Sequence, residues 1–126
     1  MLVPNRTELG ALAGTPVPGS LDEVASAARK LARTGAVVVN LGAEGALVLD
    51  GPTLMHIPVF PVRPVGTTAA GDAFCAALAV ALAEGRPLPD AARRACAAAA
   101  LATTRSGAQP SLPRRDDADA LFNRSA

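Results

Sequence analysis

The sequence predicts a three-layer α/β domain, or a portion of one, built on a mostly parallel sheet flanked by helices. Three observations lead there. Leu21, Val24, Ala27, Ala28 and Leu31 recur at helical spacing and run into the β-branched stretch Ala36-Val37-Val38-Val39-Asn40-Leu41. A continuous apolar strand straight after a helix is typical of a parallel sheet covered on both faces. Further short strands and then alanine-rich helical segments follow, giving the order αβββ then ααα.

Each element has its own signal. Pro4-Asn5-Arg6-Thr7-Glu8 opens a short helical run that stops at Gly14, and a Thr-Pro-Val-Pro-Gly turn leads on to Ser20. Ser20 with Glu23 reads as a capping box. The helix it starts is expected to reach about Thr34 and to end on Gly35 as a left-handed cap. After the first strand, Gly42-Ala43-Glu44-Gly45 is a turn, residues 46–49 form the second strand, and Asp50-Gly51 is a hairpin signal. Residues 54–58 form a third strand. Prolines in residues 59–64 put that segment at an edge or in a loop. One helix is expected from about Gly71 to Glu84, stopping at Gly85; another begins at Pro89-Asp90 and runs to about Thr104. A loop, Arg105-Ser106-Gly107-Ala108-Gln109-Pro110-Ser111, leads to a last helix over residues 116–122.

Composition narrows the function classes. The 126 residues fit one compact domain, and 50% are hydrophobic, but only 2% are aromatic and much of the apolar material is alanine. Burial stabilises by roughly 25 cal/mol per Å², so an alanine core contributes little per residue and leans on another segment or subunit. Lys+Arg 12 against Asp+Glu 11 leaves a net charge of +1, which points to neither nucleic acid nor a membrane surface. Cys75 and Cys96 have no CxxC partner and no histidine cluster, so they read as two small thiols in a reducing compartment rather than a zinc site. His56, the single histidine, lies in a strand-like stretch and is expected to have no catalytic role. Residues 1–5 lack the basic start and apolar core of a secretory signal, and residues 96–102, the longest apolar stretch, fall far short of the roughly 20 needed to span a bilayer. A soluble, cytoplasmic protein is expected.

The chemistry concentrates in Val65-Gly66-Thr67-Thr68-Ala69-Ala70-Gly71-Asp72-Ala73-Phe74. Small residues before an apolar helix let backbone N–H groups converge at a helix N-terminus. The helix dipole adds about half a positive charge there, which favours an anion such as phosphate. Asp72, in the first helical turn beside that spot, can take a proton from a substrate hydroxyl while the N–H groups stabilise charge on a phosphoryl group. From this loop alone, Asp72 can equally be a helix cap.

Pro4-Asn5-Arg6-Thr7-Glu8, Asn40-Leu41-Gly42-Ala43-Glu44-Gly45, Thr68-Ala69-Ala70-Gly71-Asp72-Ala73-Phe74 and Arg105-Ser106-Gly107-Ala108-Gln109-Pro110-Ser111 occur in one order. Together they resemble the second half of the ribokinase (PfkB) family of sugar kinases, and the resemblance covers practically the whole chain. It implies a three-layer ribokinase-like (Rossmann-like) fold, of which residues 1–126 would be the C-terminal, ATP-binding portion. It also implies ATP-dependent phosphorylation of a sugar hydroxyl. Asp72 would be the general base facing the sugar, and Ala70, Gly71 and the Asp72 amide would form the anion hole. Asn5 would lie near the nucleotide phosphates and Glu8 would help organise Mg²⁺ and its waters. Asn40, Leu41, Gly42, Ala43, Glu44 and Gly45 would form the turn that holds ATP, and Cys96 would line the adenine pocket. Oxygens near Gly66, Thr68, Ala102, Arg105, Gly107 and Ser111 would surround an activating K⁺. Each also has a plainer reading: Asn5 as a helix cap, Glu8 as a solvated first-turn carboxylate, Arg105 as a surface charge at a helix C-terminus.

The match breaks in two places. Family members usually carry aspartate where this chain has Gly66, so a K⁺ site here would lose its one formal negative charge, and normal K⁺ activation is not expected. Family members are also more than twice as long, and the lid and sugar-gripping residues of their N-terminal portion have no counterpart here. Holding donor and acceptor together is worth several kcal/mol of barrier, so weak catalysis by this chain alone is expected unless a missing half or partner chain completes the site. The spelling Ala-Ala-Gly-Asp and the Gly-Ala-Gln-Pro-Ser loop favour ribose, phosphorylated to ribose 5-phosphate, over fructose, a keto-deoxy sugar acid or a nucleoside. A truncated, non-catalytic nucleotide-binding module is the alternative from a different class.

Overall fold

The structure, a computed structural model, describes residues 1–33, 35–60 and 70–104. It divides into two compact units, Met1–Pro58 and Val59–Ala126.

In the first unit, helices α1 (Arg6–Ala13) and α2 (Leu21–Leu31) pack on a sheet of β1 (Val37–Asn40), β2 (Ala46–Asp50) and β3 (Thr53–Ile57), in the order β1-β2-β3. Asn5 caps α1: its side chain accepts from the Glu8 N–H at 2.8 Å, and the Glu8 carboxylate accepts from the Asn5 N–H at 2.9 Å. That reciprocal pair is a complete capping box. The expected box at Ser20 and Glu23 forms in altered shape. Ser20 accepts from the Glu23 N–H at 3.1 Å, but the Glu23 carboxylate turns to the Gly19 N–H and the Ser20 hydroxyl instead of the Ser20 N–H.

α2 ends at Leu31 rather than near Thr34. Its buried face, Val24, Ala25, Ala27 and Ala28, is exhausted by then, and Ala32 (φ −80°, ψ 17°) is the cap in place of Gly35.

The direction of β1 against β2 differs from the expected mostly parallel sheet, whereas the β2–β3 hairpin is the one that Asp50-Gly51 signals. β1 pairs with β2, and β2 with β3, both antiparallel. Among the described residues, parallel pairing is confined to two bridges, Leu2 with Val37 and Asn5 with Asn40, where residues 2–5 run along the outer edge of β1. The turns dictate this. The link from β1 to β2 is the short 3₁₀ turn Gly42–Glu44, and β2 joins β3 through Gly51 and Pro52 alone; a parallel return needs a dozen or more residues. Gly51 has φ 58°, as primed hairpin turns demand at their first central position, and the fixed negative φ of Pro52 at the second selects type II′. The apolar run still reports burial correctly. Val37 and Val39, with Leu47 and Leu49 opposite, join Leu9, Val24 and Ala28 in one core, while Val38, Ala46 and Val48 on the other face are also at most 2% exposed. A strand buried on both faces reads as continuously apolar whichever way its neighbours run.

The second unit holds α3 (Ala70–Ala83) and α4 (Leu88–Ala102). α3 closes with the Gly85 N–H on the Leu82 carbonyl and the Arg86 N–H on the Ala81 carbonyl, the paired bonds of a Schellman motif. Pro89 in the first turn of α4 lacks only an N–H that would have no partner there. The helices pack extensively on each other. Ala73, Ala98 and Ala102 are buried together, with Ala70, Ala77 and Leu101 packed against them, so the start of α3 lies beside the end of α4. No described helix is long and apolar enough to cross a membrane.

Candidate functional site

The first cluster of candidate residues is assembled by strand pairing. The parallel bridge between Asn5 and Asn40 sets the N-terminus of α1 beside the end of β1. The chain leaving β1 at once forms the Gly42–Glu44 turn. Asn5, Glu8, Asn40, Leu41, Gly42, Ala43, Glu44 and Gly45 therefore gather at one end of this unit. The Asn40 side-chain oxygen accepts from the Gly42 N–H at 3.0 Å, and the Leu41 N–H donates to the Gly45 carbonyl at 2.8 Å. Leu41, 7% exposed, roots the turn in the core, whereas Gly42, Ala43 and Glu44 are exposed. Gly45 has φ 88° and ψ −128°, and a Cβ there would be driven into the Ile57 carbonyl oxygen and stand 2.9 Å from the Pro58 carbonyl carbon. Only glycine fits.

Asn5 and Glu8 serve the helix as a cap, and each keeps a polar group beyond that bond. The cap uses Oδ1 of Asn5 and Oε1 of Glu8, leaving the Asn5 amide NH₂ and Glu8 Oε2 available on an exposed surface. Cap and ligand are compatible roles here.

The second cluster lies at the start of α3. Ala70, Gly71 and Asp72 occupy its first turn, where N–H groups have no intrahelical acceptor. Gly71 and Asp72 are exposed, and nothing lies within 4 Å of where a Cβ on Gly71 would stand. Gly71 is therefore not required by backbone strain or by crowding within the described residues. Among the described residues, this helix start combines N–H groups without an intrahelical acceptor and an exposed carboxylate.

Cys96 is buried in α4, and burial pushes its thiol up to about 12, with Arg93 pulling weakly the other way. It is an inert, apolar wall element, not a nucleophile. Ala102 is fully buried, and its carbonyl belongs to the last turn of α4, the negative end of the helix dipole, which suits a cation. The other residues expected around K⁺, Gly66, Thr68, Arg105, Gly107 and Ser111, lie outside the described residues, as does the expected helix over residues 116–122. Among the described residues, no three His, Cys, Asp or Glu side chains gather as a metal cluster.

Sequence reasoning missed what braces the turn. Arg6 donates to the Glu44 carboxylate at 3.0 Å and to the Gly19 carbonyl at 3.0 Å, and His56 Nε2 lies 2.6 Å from the Glu44 carbonyl oxygen. Arg6 and Glu44 are 38 residues apart, and no local pattern pairs them.

Comparison with known proteins identifies the family. The family model described as pfkB family carbohydrate kinase matches residues 1–115. The chain is 40% identical over 119 residues to a ribokinase of Arabidopsis thaliana, covering 91% of this chain and 31% of that protein. It is 37% identical over 113 residues to a deoxyribokinase of Salmonella typhi, covering 88% of this chain and 37% of that one. Among solved structures, Arabidopsis thaliana ribokinase complexed with ribose and ATP matches with a TM-score of 0.87 and 36% identity, over 96% of this chain and 40% of the other. The chain thus spans between 31% and 40% of the length of these relatives.

Proposed function

The chain belongs to the pfkB family of carbohydrate kinases, and on that premise we propose that it is the ATP-binding part of a kinase that phosphorylates a sugar hydroxyl, D-ribose to D-ribose 5-phosphate. The observation that carries the reading is the first turn of α3, where Gly71 and Asp72 are exposed and the Asp72 carboxylate stands beside N–H groups that have no intrahelical acceptor. The sugar's primary hydroxyl oxygen attacks the γ-phosphorus, its proton passes to Asp72, and ADP departs. The Ala70, Gly71 and Asp72 N–H groups stabilise charge on the phosphoryl oxygens. Asn5 and the Asn40-to-Gly45 turn hold the nucleotide, and Cys96 lines the adenine pocket. Mg²⁺, when bound, neutralises phosphate charge. The single available Glu8 oxygen fits a cation that keeps most of its waters better than a full protein cage would. K⁺ has the Ala102 carbonyl in its favour and the carboxylate-free Gly66 against it.

The Arabidopsis ribokinase that was solved with ribose and ATP supports the nucleotide and ribose; the deoxyribokinase at 37% identity supports 2-deoxyribose as a second acceptor. Titration calorimetry of the purified chain with Mg-ATP, beside Asp72→Asn and a phosphorylation assay on both sugars, tests the reading. Saturable ATP binding that survives Asp72→Asn, with any sugar-dependent ADP release lost in that variant, is the expected result. A folded chain that binds no ATP overturns it in favour of a remnant without nucleotide chemistry.

A further inference from the structure

In the turn proposed to hold ATP, Leu41 and Gly45 are buried but the tip, Gly42, Ala43 and Glu44, is exposed. The hydrogen bonds of the turn itself are those of the Gly42 N–H to the Asn40 side chain, the Leu41 N–H to the Gly45 carbonyl, and the 3₁₀ bonds from the Glu44 N–H to Leu41 and the Gly45 N–H to Gly42. A stretch of this kind opens readily unless something outside it holds it. Two side chains from elsewhere in the unit do so, and both meet at Glu44. The Arg6 guanidinium, one position after the α1 cap, forms an ion pair with the Glu44 carboxylate at 3.0 Å while a second nitrogen donates to the Gly19 carbonyl. That second bond fixes the plane of the guanidinium, so the pair is directional rather than a loose surface contact. From the other side, His56 on β3 donates through Nε2 to the Glu44 carbonyl oxygen at 2.6 Å. Arg6 is 22% exposed and Glu44 53%, so solvent screens the pair and it adds little to global stability. What it does is local. It ties the helix start that carries Asn5 and Glu8 to the turn that carries Gly42 through Gly45.

We propose that Arg6 and His56 are positioning residues that clamp Glu44 and so hold the Asn40-to-Gly45 turn in register with the α1 N-terminus for nucleotide binding. This rests on the reading that the turn holds ATP. Neither residue touches nucleotide in the proposal; both act through Glu44. Removing Arg6 also leaves the Glu44 carboxylate uncompensated next to an anionic ligand, so Arg6→Ala is the more harmful of the two truncations.

The test uses the whole chain and three readouts: Mg-ATP affinity by calorimetry, the urea midpoint, and hydrogen exchange at the Leu41, Glu44 and Gly45 amides. Arg6→Ala is expected to weaken ATP binding about 5-fold and His56→Ala about 3-fold, on the scale of single exposed contacts. The urea midpoint stays close to wild type, while exchange at the turn amides quickens and that of β2 does not change. The charge-swapped double variant, Arg6→Glu with Glu44→Arg, recovers most of the affinity lost in Arg6→Glu alone, which a nonspecific structural defect would not do. Wild-type ATP binding with no change in Arg6→Ala or in turn exchange overturns the clamp alone. A wild-type chain that binds no ATP overturns the nucleotide reading, and the clamp's purpose with it.

Discussion

Gly45 is the residue on which the Asn40-to-Gly45 turn most depends, and replacing it by alanine gives a measurable separation from Gly42. Both have positive φ, 88° and 60°, so alanine is strained at either position. At Gly42 strain is the whole cost, because a Cβ there meets nothing within 4 Å; about 1 kcal/mol is expected. At Gly45 the backbone sits at φ 88°, ψ −128°, a region that essentially only glycine enters, which costs about 1–3 kcal/mol. The new methyl also runs into the Ile57 carbonyl and the Pro58 backbone, neither of which can retreat without breaking the pairing of Ala46 with Ile57. Such overpacking adds about 1–3 kcal/mol, for a total near 4 kcal/mol. With a urea m-value of about 2 kcal/mol per M, Gly42→Ala should shift the unfolding midpoint by roughly 0.5 M and Gly45→Ala by roughly 2 M. Equal shifts for the two variants would refute the claim that close approach of the β3 end to the turn, rather than φ alone, demands glycine at 45.

Three further outcomes follow from particular residues. Gly71→Ala should raise the unfolding midpoint, since alanine is favoured in a helix by about 0.5–1 kcal/mol and its methyl meets nothing among the described residues, yet it should weaken ATP binding by obstructing the proposed anion hole; a variant that is stabilised with unchanged ATP affinity removes the anion hole from Gly71. Asn5→Ala should cost about 1 kcal/mol of stability through the lost cap, whereas Asn5→Asp keeps the cap but sets a negative charge where phosphate is proposed to lie; stability close to wild type with weakened ATP binding is expected for the aspartate variant, and intact binding would leave Asn5 as a cap alone. For Cys96, burial raises the folded-state value from 9.0 to about 12, so above pH 9 the unfolded chain loses its thiol proton while the folded chain keeps it. The contribution is therefore fully present below pH 9 and is lost as pH rises from there toward 12, and Cys96→Ala should flatten that part of the stability profile measured by urea titration.

How much of this was legible in the sequence depends on how local the cause is. The α1 stop at Gly14, the Ser20 cap, the Asp50-Gly51 hairpin, the break at Gly85 and the proline start of α4 all follow from short-range backbone chemistry, and all stand where that chemistry puts them. The end of α2 did not: the helix stops at Leu31, with Ala32 as its cap, short of Gly35. The direction of β1 against β2 did not either: a continuous apolar run says that both faces are buried, but the pairing sense is set by how far the connecting turn can reach.

The same division runs through the candidate site. By itself the sequence determined which residue types are present and which local devices they make: a carboxylate in a helix's first turn at Asp72, a helix cap at Asn5, and a glycine-bounded turn after Asn40, whereas the structure showed that Glu8 closes the Asn5 cap instead of standing as a solvated carboxylate. Only the tertiary structure decided that Asn5 lies beside Asn40, that Arg6 and His56 converge on Glu44, and that Gly45 faces the Ile57 carbonyl. Those are contacts between residues far apart in the chain. They depend on strand register and on the angle at which α1 leaves the sheet, quantities that no window of neighbouring residues encodes.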